Sequence, residues 1–309
     1  MRWRCSLALV VAACSSDPVT WDCGGSVDVL YRGTVWGENL AVGDGRVYFS
    51  WYENAAGDHH AIESVSTTCG AAETTSWLGG EQDLFGKGMA VHGGSVFWSE
   101  AVTEFGDVAI WAAPATANSH NPRVQLATFD NIVPFVDGGD ALYALGISLM
   151  FVRIPYDGSA ISTLVAPLDP NLLWLTAADS KLYYAYNGTV VALDLASGTQ
   201  TSFAVAQYSG GQFDVDATNL YVPIHDGVAI VPLDGSPQTI LVTGNPWNSV
   251  VLGADGLYGQ TQDMLARMAM TGGTPTQLAP LGQGGSIVRD GNTIYATACC
   301  ADVLAVTAE

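Results

Sequence analysis

The sequence is 309 residues long and strongly acidic, with 30 Asp and Glu against 10 Lys and Arg and a formal net charge of −20. A surface of this charge repels phosphate backbones, which excludes a nucleic-acid partner. Hydrophobic residues make up 49% of the chain and charged residues only 13%, a balance that excludes a disordered protein.

The N-terminal residues, MRWRCSLALVVAACSSD, form a basic start followed by a short apolar stretch. Arg2 and Arg4 before such a stretch, with small residues after it, are typical of a secretory signal peptide. The motif Val11-Ala12-Ala13-Cys14 resembles the bacterial lipobox, in which the Cys is lipidated after cleavage. We therefore predict a lipoprotein signal peptide over residues 1–13. The alternative is an ordinary signal peptide with an incidental Cys14.

A lipidated Cys14 would attach the protein to a membrane, with residues 14–25 as its lipidated N-terminus and tether. Ser15 follows the lipidated residue, which by analogy favours the outer membrane over retention at the inner membrane. No apolar run in the chain reaches the roughly 18–20 residues that a membrane-spanning helix needs. We therefore expect a cell-envelope protein that is lipid-anchored at the outer membrane and faces the periplasm or the cell surface.

Short apolar runs separated by turn residues fill the rest of the chain. The stretch from Phe213 to Val242, FDVDATNLYVPIHDGVAIVPLDGSPQTILV, contains four such runs with Asp, Asn, Gly and Pro between them. Runs of about four to eight residues with these boundaries are typical of strands, and Asp-Gly is typical of tight hairpins. The apolar residues around Asp214 and Asp216 indicate a strand there rather than a calcium loop.

This four-stranded unit recurs along the chain at intervals of about 40 residues. The aromatic residue of its second strand marks seven copies, at Tyr48, Phe97, Tyr143, Tyr183, Tyr221, Tyr258 and Tyr295. Such a period with four strands is typical of a β-propeller, in which each sheet packs against its neighbours. We predict an all-β fold, a single propeller of seven blades over residues 26–309, with strands A to D in each blade.

The two ends of the repeat region complement each other. The last copy is one strand short, and an additional strand, SVDVLYRG from Ser26 to Gly33, precedes the first copy. We predict that this N-terminal strand completes the seventh blade as its strand D. Ring closure of this kind removes the exposed strand edges that an open array would leave.

Four cysteines remain after the leader and Cys14, and an even number in an exported protein indicates disulfides. In the usual blade the B–C and D–A loops lie on one face of the ring, and the A–B and C–D loops on the other. This register places Cys23 and Cys69 at adjacent blades on one face and favours a bridge between them as a structural staple. Cys299 and Cys300 are neighbours in the B–C turn of blade seven, where a vicinal disulfide would form a tight turn. A structural turn, a ligand platform, and a redox or metal role are the alternatives for this pair.

The B–C loops carry the candidate ligand residues. They are Asp58, His59 and His60 of blade one, Glu100 and Glu104 of blade two, and His225 and Asp226 of blade five. Such groups bind zinc when three or four of them converge, which a sequence cannot show for separate blades. We assign these residues to one ligand face and predict no metal and no cofactor, with solvated turn residues as the alternative. His92 and His120 are assigned to the opposite face.

The repeat resembles that of uncharacterised bacterial lipoprotein propellers built from VDxxxVYW…GxVxxVPLDGGxPxxLA units. The matching residues are Val215-Asp216, Leu220-Tyr221, Val231 to Gly235 and Leu278-Ala279. The repeat is more distantly similar to the YWTD propellers of receptor ectodomains, although the Trp-Thr-Asp part is missing here and those propellers have six blades. These motifs imply a fold rather than a chemistry.

Two functions remain open. The favoured one is a non-catalytic, lipid-anchored extracytoplasmic propeller, acting as a monomer, that binds an envelope protein, a peptide or a glycan through loops of one face. Lipoprotein propellers that help assemble outer-membrane proteins are its precedent. The alternative is an extracytoplasmic lyase or hydrolase with its active site in the central funnel. No nucleophile elbow, His-Glu-x-x-His helix or dinucleotide fingerprint is present, which favours binding only mildly because propeller active sites are assembled from distant loops.

Overall fold

The computed structural model describes residues 23, 27–31, 36–53, 59–71, 75–80, 85–101, 107–116, 123–129, 134–145, 150–165, 174–186, 188–261, 264–281, 286–298 and 302–308. These residues form 28 strands in seven four-stranded antiparallel sheets, and this part of the chain contains no helix. Nothing in these ranges is therefore a helix with the length and apolar character needed to cross a membrane. The sheets are the blades of one β-propeller, which confirms the predicted fold and blade number.

The first strand, β1 (Asp28–Tyr31), precedes blade one in the chain. Blade one contains β2 (Trp36–Gly43), β3 (Arg46–Glu53), β4 (His59–Ser66) and β5 (Thr75–Gly80). Blade two contains β6 (Phe85–His92), β7 (Ser95–Ala101), β8 (Val108–Pro114) and β9 (Val124–Phe129). Blade three contains β10 (Phe135–Asp137), β11 (Leu142–Leu145), β12 (Phe151–Ile154) and β13 (Ser162–Val165).

The second half of the ring repeats the same order. Blade four contains β14 (Trp174–Ala178), β15 (Lys181–Tyr186), β16 (Thr189–Asp194) and β17 (Gln200–Ala204). Blade five contains β18 (Asp214–Val215), β19 (Asn219–Ile224), β20 (Gly227–Pro232) and β21 (Thr239–Val242). Blade six contains β22 (Trp247–Leu252), β23 (Leu257–Thr261), β24 (Met264–Met268) and β25 (Thr276–Pro280), and blade seven adds β26 (Ile287–Asp290), β27 (Thr293–Thr297) and β28 (Val303–Thr307).

Each blade is a meander that runs outward from the ring axis. Its strand A is innermost, since β2 contacts both β6 and β26, and β10 contacts both β6 and β14.

The A–B hairpins use residues that accept a left-handed backbone, such as Asp44 (φ 53°) and Gly45 (φ 72°) in blade one. The turn residues of each repeat therefore determine where its hairpins form, and so where its strands begin and end.

The recurring aromatic of strand B lies between neighbouring blades. All seven of these residues are at most 4% exposed. The buried side chains of the described residues form seven clusters, each made by two adjacent blades, and each cluster contains one of these aromatics. Burial of such a side chain contributes roughly 1.5–3 kcal/mol, so each blade is stabilised by the next one.

A carboxylate of the A–B turn holds this aromatic in three of the blades. Tyr143 donates its hydroxyl hydrogen to Asp140 at 2.9 Å, Tyr221 to Asp216 at 2.7 Å, and Tyr258 to Asp255 at 2.8 Å. We call this pair the Asp–Tyr clasp. Blade two lacks both partners of the clasp. Phe97 takes the place of the tyrosine, and the Gly93-Gly94 turn supplies no carboxylate.

The electrostatics of the blade-five clasp follow from its hydrogen bonds. Burial by itself would raise the pKa of Asp216, but hydrogen bonds from Tyr221, Thr218 and Asn219 outweigh it and hold that pKa below its usual value. Burial and the same carboxylate raise the pKa of Tyr221 to about 12. The clasp is therefore an ionised carboxylate with a neutral phenol at neutral pH.

The N-terminal strand closes the ring. β1 pairs antiparallel with β28 and so forms the outermost strand of blade seven, as predicted. Tyr31 packs its ring 4.9 Å from that of Phe49 in blade one, and burial together with the nearby Glu63 carboxylate raises the pKa of Tyr31. Cys23 is joined to Cys69 of blade one by a disulfide bond across 46 residues of sequence, with Cα atoms 5.8 Å apart. β1 is thus attached to both blades at the junction.

Backbone hydrogen bonds define the two faces of the ring. In blade five, Leu233 N–H donates to the Thr218 carbonyl at 2.8 Å and joins the C–D connection to the A–B turn. At the other end, Thr243 N–H donates to the Asp226 carbonyl at 2.8 Å and joins the D–A connection to the B–C turn. We name these ends the A–B/C–D face and the B–C/D–A face.

Deletion of residues 15–33 is expected to lower the melting temperature far more than loss of a flexible tail, because it exposes the edge of β28 and removes the disulfide. The disulfide by itself should contribute about 2–4 kcal/mol. The control is the pair Cys23→Ser and Cys69→Ser, which keeps β1 and should cost only that amount in urea unfolding. A deletion whose melting temperature equals that of wild type would contradict closure by β1.

Tyr221→Phe is expected to cost about 1–3 kcal/mol in the free energy of unfolding, because it removes a hydrogen bond to a charged acceptor. Asp216 has a lowered pKa, so its contribution is present above its unfolded pKa of about 3.9 and is lost as pH falls through the lower folded value. The cost of Tyr221→Phe should therefore shrink as the pH is lowered from about 5 to below about 4. Tyr184→Phe is the matched control, since Tyr184 is equally buried and has no carboxylate among the groups that perturb it. An equal cost for both variants would show that the clasp adds nothing.

Candidate functional site

Blade one contributes less to the site than the sequence predicts. Asp58 lies outside the described residues. His59 and His60 begin strand β4 and pair with Glu53 and Tyr52 of β3, so they extend the B–C hairpin instead of forming its loop. The sequence interpretation of a loop is corrected for these two residues, because the strand pairing of this hairpin continues further than its polar residues indicate.

In blade two, Glu100 is a strand residue with a buried carboxylate. It lies in β7 and is 8% exposed. Its Oε2 accepts a hydrogen bond from Trp98 Nε1 at 3.3 Å and forms an ion pair with the Arg123 guanidinium. The Arg123 guanidinium also lies 4.1 Å from the centre of the Trp111 ring. Glu100 therefore holds the outer strand of blade two in place, and its predicted place in a loop is wrong. Glu104 lies outside the described residues.

In blade five the predicted residues do lie on the surface. His225 and Asp226 form the B–C turn between β19 and β20, and both are exposed. The turn is held from both sides, because the Gln207 carbonyl accepts a hydrogen bond from His225 N–H at 3.2 Å and the Asp226 carbonyl accepts one from Thr243 N–H at 2.8 Å. We define the blade-five platform as residues 205–213, 225–226 and 243–248.

The loop 205–213 has a fixed backbone. Gln207 adopts a left-handed conformation with φ of 60°, which costs a residue with a side chain roughly 1–2 kcal/mol. Tyr208 donates its hydroxyl hydrogen to the Gly211 carbonyl at 2.6 Å, and burial raises the pKa of Tyr208. A Cβ atom on Gly211 would lie 1.7 Å from the Asn248 carbonyl oxygen, so the close approach of these two loops requires glycine. Strain of this kind persists only where the surrounding contacts hold it, and it is concentrated at functional sites.

The same loop reaches inward over the inner strands of the next two blades. Ser209 Oγ donates to the Trp247 carbonyl of β22 at 2.8 Å, and Val250 N–H donates to the Gln212 carbonyl at 2.8 Å. Gln212 Nε2 donates to the Ile287 carbonyl of β26 at 2.8 Å. The platform therefore joins blades five, six and seven beside the ring axis and forms a rigid rim there.

The exposed side chains of the platform are polar. Gln207, His225, Asp226, Asn245 and Asn248 are all exposed. The three segments of the platform contain no Lys or Arg. Amide and carboxylate groups on a fixed backbone supply several hydrogen-bond acceptors and donors together with a negative charge, which suits a ligand rich in hydrogen-bond donors or carrying positive charge.

The opposite face contains a polar cluster that the sequence interpretation treated as scattered histidines. His92 Nδ1 lies 3.0 Å from Asp137 Oδ2, and Tyr156 donates its hydroxyl hydrogen to the same carboxylate. The His92 and Tyr156 rings stack with centroids 4.1 Å apart, and Tyr156 also contacts Phe97. This cluster joins blades two and three where blade two lacks the Asp–Tyr clasp. His120 lies outside the described residues.

The remaining predicted residues are Cys14, Cys299 and Cys300, which lie outside the described residues. Among the residues that the structure does describe, no group of three or more His, Cys, Asp or Glu side chains is arranged to hold a metal ion. The predicted Cys23–Cys69 staple is a disulfide in the structure and lies at the A–B/C–D face, away from the platform.

Gln207, Ser209, Gln212, Asn245 and Asn248 were not predicted from the sequence. The segment QYSGGQ carries the signal of a turn, namely paired glycines between polar residues. That signal does not show which blades the loop touches. The acceptor of Gln212 lies 75 residues away in the chain.

No protein-family model and no curated protein sequence matches this chain. Solved structures match over most of its length. A catalytically inactive variant of virginiamycin B lyase from Staphylococcus aureus, solved with quinupristin, is 16% identical, with 91% of this chain and 98% of the lyase covered and a TM-score of 0.62. BamB from Moraxella catarrhalis is 13% identical, with 87% and 93% covered and a TM-score of 0.54. YCF48 bound to D1 peptide is 8% identical, with 95% and 96% covered and a TM-score of 0.63.

These neighbours differ in what they bind or act on, and their identities to this chain are low. Likeness at this level shows the fold alone. The chain is a seven-bladed β-propeller with a fold similar to that of BamB.

Proposed function

We propose that the protein is a non-catalytic, lipid-anchored propeller of the cell envelope that binds a protein, peptide or glycan partner through its B–C/D–A face. The observation that carries this proposal is the blade-five platform. Its exposed polar side chains stand on a backbone that is fixed by hydrogen bonds to three blades. A surface that is already ordered loses little conformational entropy on binding.

The charge of the platform favours one kind of partner. Asp226 is the acidic residue of these segments, and neither Lys nor Arg occurs in them. The chain as a whole carries a net charge of −20. A partner segment with Lys or Arg and free backbone N–H groups complements such a surface, and long-range attraction increases its association rate. Within the proposed classes, an extended basic peptide segment of an envelope protein is therefore the best match.

One of the structural neighbours supports a peptide ligand, since YCF48 was solved with a bound D1 peptide. The lyase among the neighbours supports the alternative, an extracytoplasmic lyase or hydrolase with its site in the central funnel.

Cys14→Ser is expected to move the protein from the membrane fraction to the soluble fraction, or to leave its leader uncleaved, because the substitution removes the site of lipidation. The measurement is membrane fractionation combined with metabolic labelling by a palmitate analogue. Cys5→Ser is the matched control and should change neither the fractionation nor the label. A Cys14→Ser protein that keeps both its label and its membrane location would refute the anchor.

A triple variant of the platform is expected to bind a basic envelope peptide at least tenfold more weakly than wild type. Its substitutions are His225→Ala, Asp226→Ala and Asn245→Ala. Exposed turn residues usually change stability by only about 0.5 kcal/mol, so unfolding would not explain such a loss. A peptide library screened on purified protein supplies the ligand, and calorimetry measures the affinity. Binding should also weaken as the salt concentration rises.

The control substitutes exposed residues at the other end of the same blade, Asp234→Ala with Ser236→Ala. This variant should bind as wild type does. His92→Ala is unsuitable as a control because His92 packs between two blades. Full binding by the platform variant, or equal losses in both variants, would contradict the proposed ligand face. Turnover of a ligand by purified protein would favour the enzyme instead.

A further inference from the structure

We propose that the membrane anchor holds the ring with the blade-five platform directed away from the membrane, so that the partner is a water-exposed segment and not a lipid headgroup or a membrane-embedded helix. This inference rests on the proposed anchor at Cys14 and on the proposed ligand face. It adds the orientation of that face and the side from which the partner arrives.

The chain enters the ring at the A–B/C–D face. Cys23 is bonded to Cys69, which lies in the C–D connection between β4 and β5. Thr67, two residues before Cys69, donates its N–H to the carbonyl of Gly45 in the A–B turn at 3.0 Å, which places this connection on the A–B/C–D face. β1 begins at that end and runs toward the other, as every strand D does. The disulfide therefore fixes the exit of the tether at one face.

The platform lies at the other end of the strands. Its B–C turn joins β19 to β20, and each of these strands has six residues. At about 3.3 Å per residue, the two faces of blade five are separated by about 20 Å. The tether exit and the ligand surface are thus on opposite sides of a rigid ring.

The tether is short compared with this separation. Residues 14 to 22 precede Cys23, and a nine-residue random coil would have a root-mean-square length of about 15–18 Å. To direct the platform toward the membrane, the tether would have to run past the whole height of the ring. That requires the tether to extend to at least about 20 Å, beyond its root-mean-square length, at a cost in chain entropy. The opposite orientation requires no such extension.

The orientation is measured by energy transfer from a fluorophore on the protein to an acceptor in the lipid headgroups. Ser236 and Asn245 are a matched pair, because both are exposed and lie at opposite ends of blade five. Each is replaced in turn by an azido amino acid for labelling of the full lipidated chain in phosphatidylethanolamine and phosphatidylglycerol vesicles. We expect more efficient transfer from position 236, with the label at 245 about 20 Å farther from the headgroups. Equal transfer, or more transfer from position 245, would overturn the proposal.

A second preparation separates failure of the anchor from failure of the orientation. Residues 15–309 with an N-terminal hexahistidine tag are bound to vesicles that contain a nickel-chelating lipid. If transfer from position 236 again exceeds transfer from position 245 in this tagged protein, while the full chain does not bind vesicles, lipidation at Cys14 is rejected and the orientation is supported. The reverse order in this preparation would reject the orientation whatever the anchor.

A longer tether tests the length argument. An insertion of 20 Gly and Ser residues after residue 22 raises the root-mean-square reach to about 27–32 Å, which exceeds the height of the ring. The difference in transfer between positions 236 and 245 should then shrink. An undiminished difference would show that tether length does not set the orientation.

Discussion

The contact between one blade and the next is the interaction on which the rest of the molecule depends. A four-stranded sheet cannot bury both of its faces by itself, so each blade needs a neighbour on either side. The strand-B aromatics supply this contact at all seven junctions, including the one between blades seven and one. A ring satisfies every blade, whereas an open array would leave two faces uncovered. Closure is therefore a condition of stability and requires a strand from the other end of the chain.

Closure has a consequence for the surface of the ring. The strand that completes blade seven also determines where the N-terminal segment leaves the molecule, and the Cys23–Cys69 bond fixes that point on the A–B/C–D face. Force on the N-terminal segment passes through this covalent bond into blade one and does not peel β1 from β28. The blade-five platform lies on the other face of the ring. This division allows the blade-five platform to be built from a strained loop, because the ring beneath it is rigid.

The departures from the repeat are as informative as the repeat itself. Blade two has Phe97 and a Gly-Gly turn where other blades have Tyr and Asp, and the junction with blade three is held by His92, Asp137 and Tyr156 instead. The same blade buries Glu100 against Arg123. A buried carboxylate requires a paired cation, so the ion pair ties strand β7 to the start of strand β9. Polar residues in this blade therefore stabilise a junction that the common pattern does not supply.

The sequence by itself determined the fold class, the seven blades and the closing strand, because these depend on local turn chemistry and on an aromatic that repeats about every 40 residues. It also placed His225 and Asp226 on an exposed turn, since an Asp-Gly hairpin is a local signal. Glu100 could not be assigned in this way, because its burial depends on Arg123 and on where strand β7 ends. The platform was likewise decided by the tertiary structure alone. Its loop is fixed by acceptors on the inner strands of blades six and seven, and only the closed ring brings those strands beside Ser209 and Gln212.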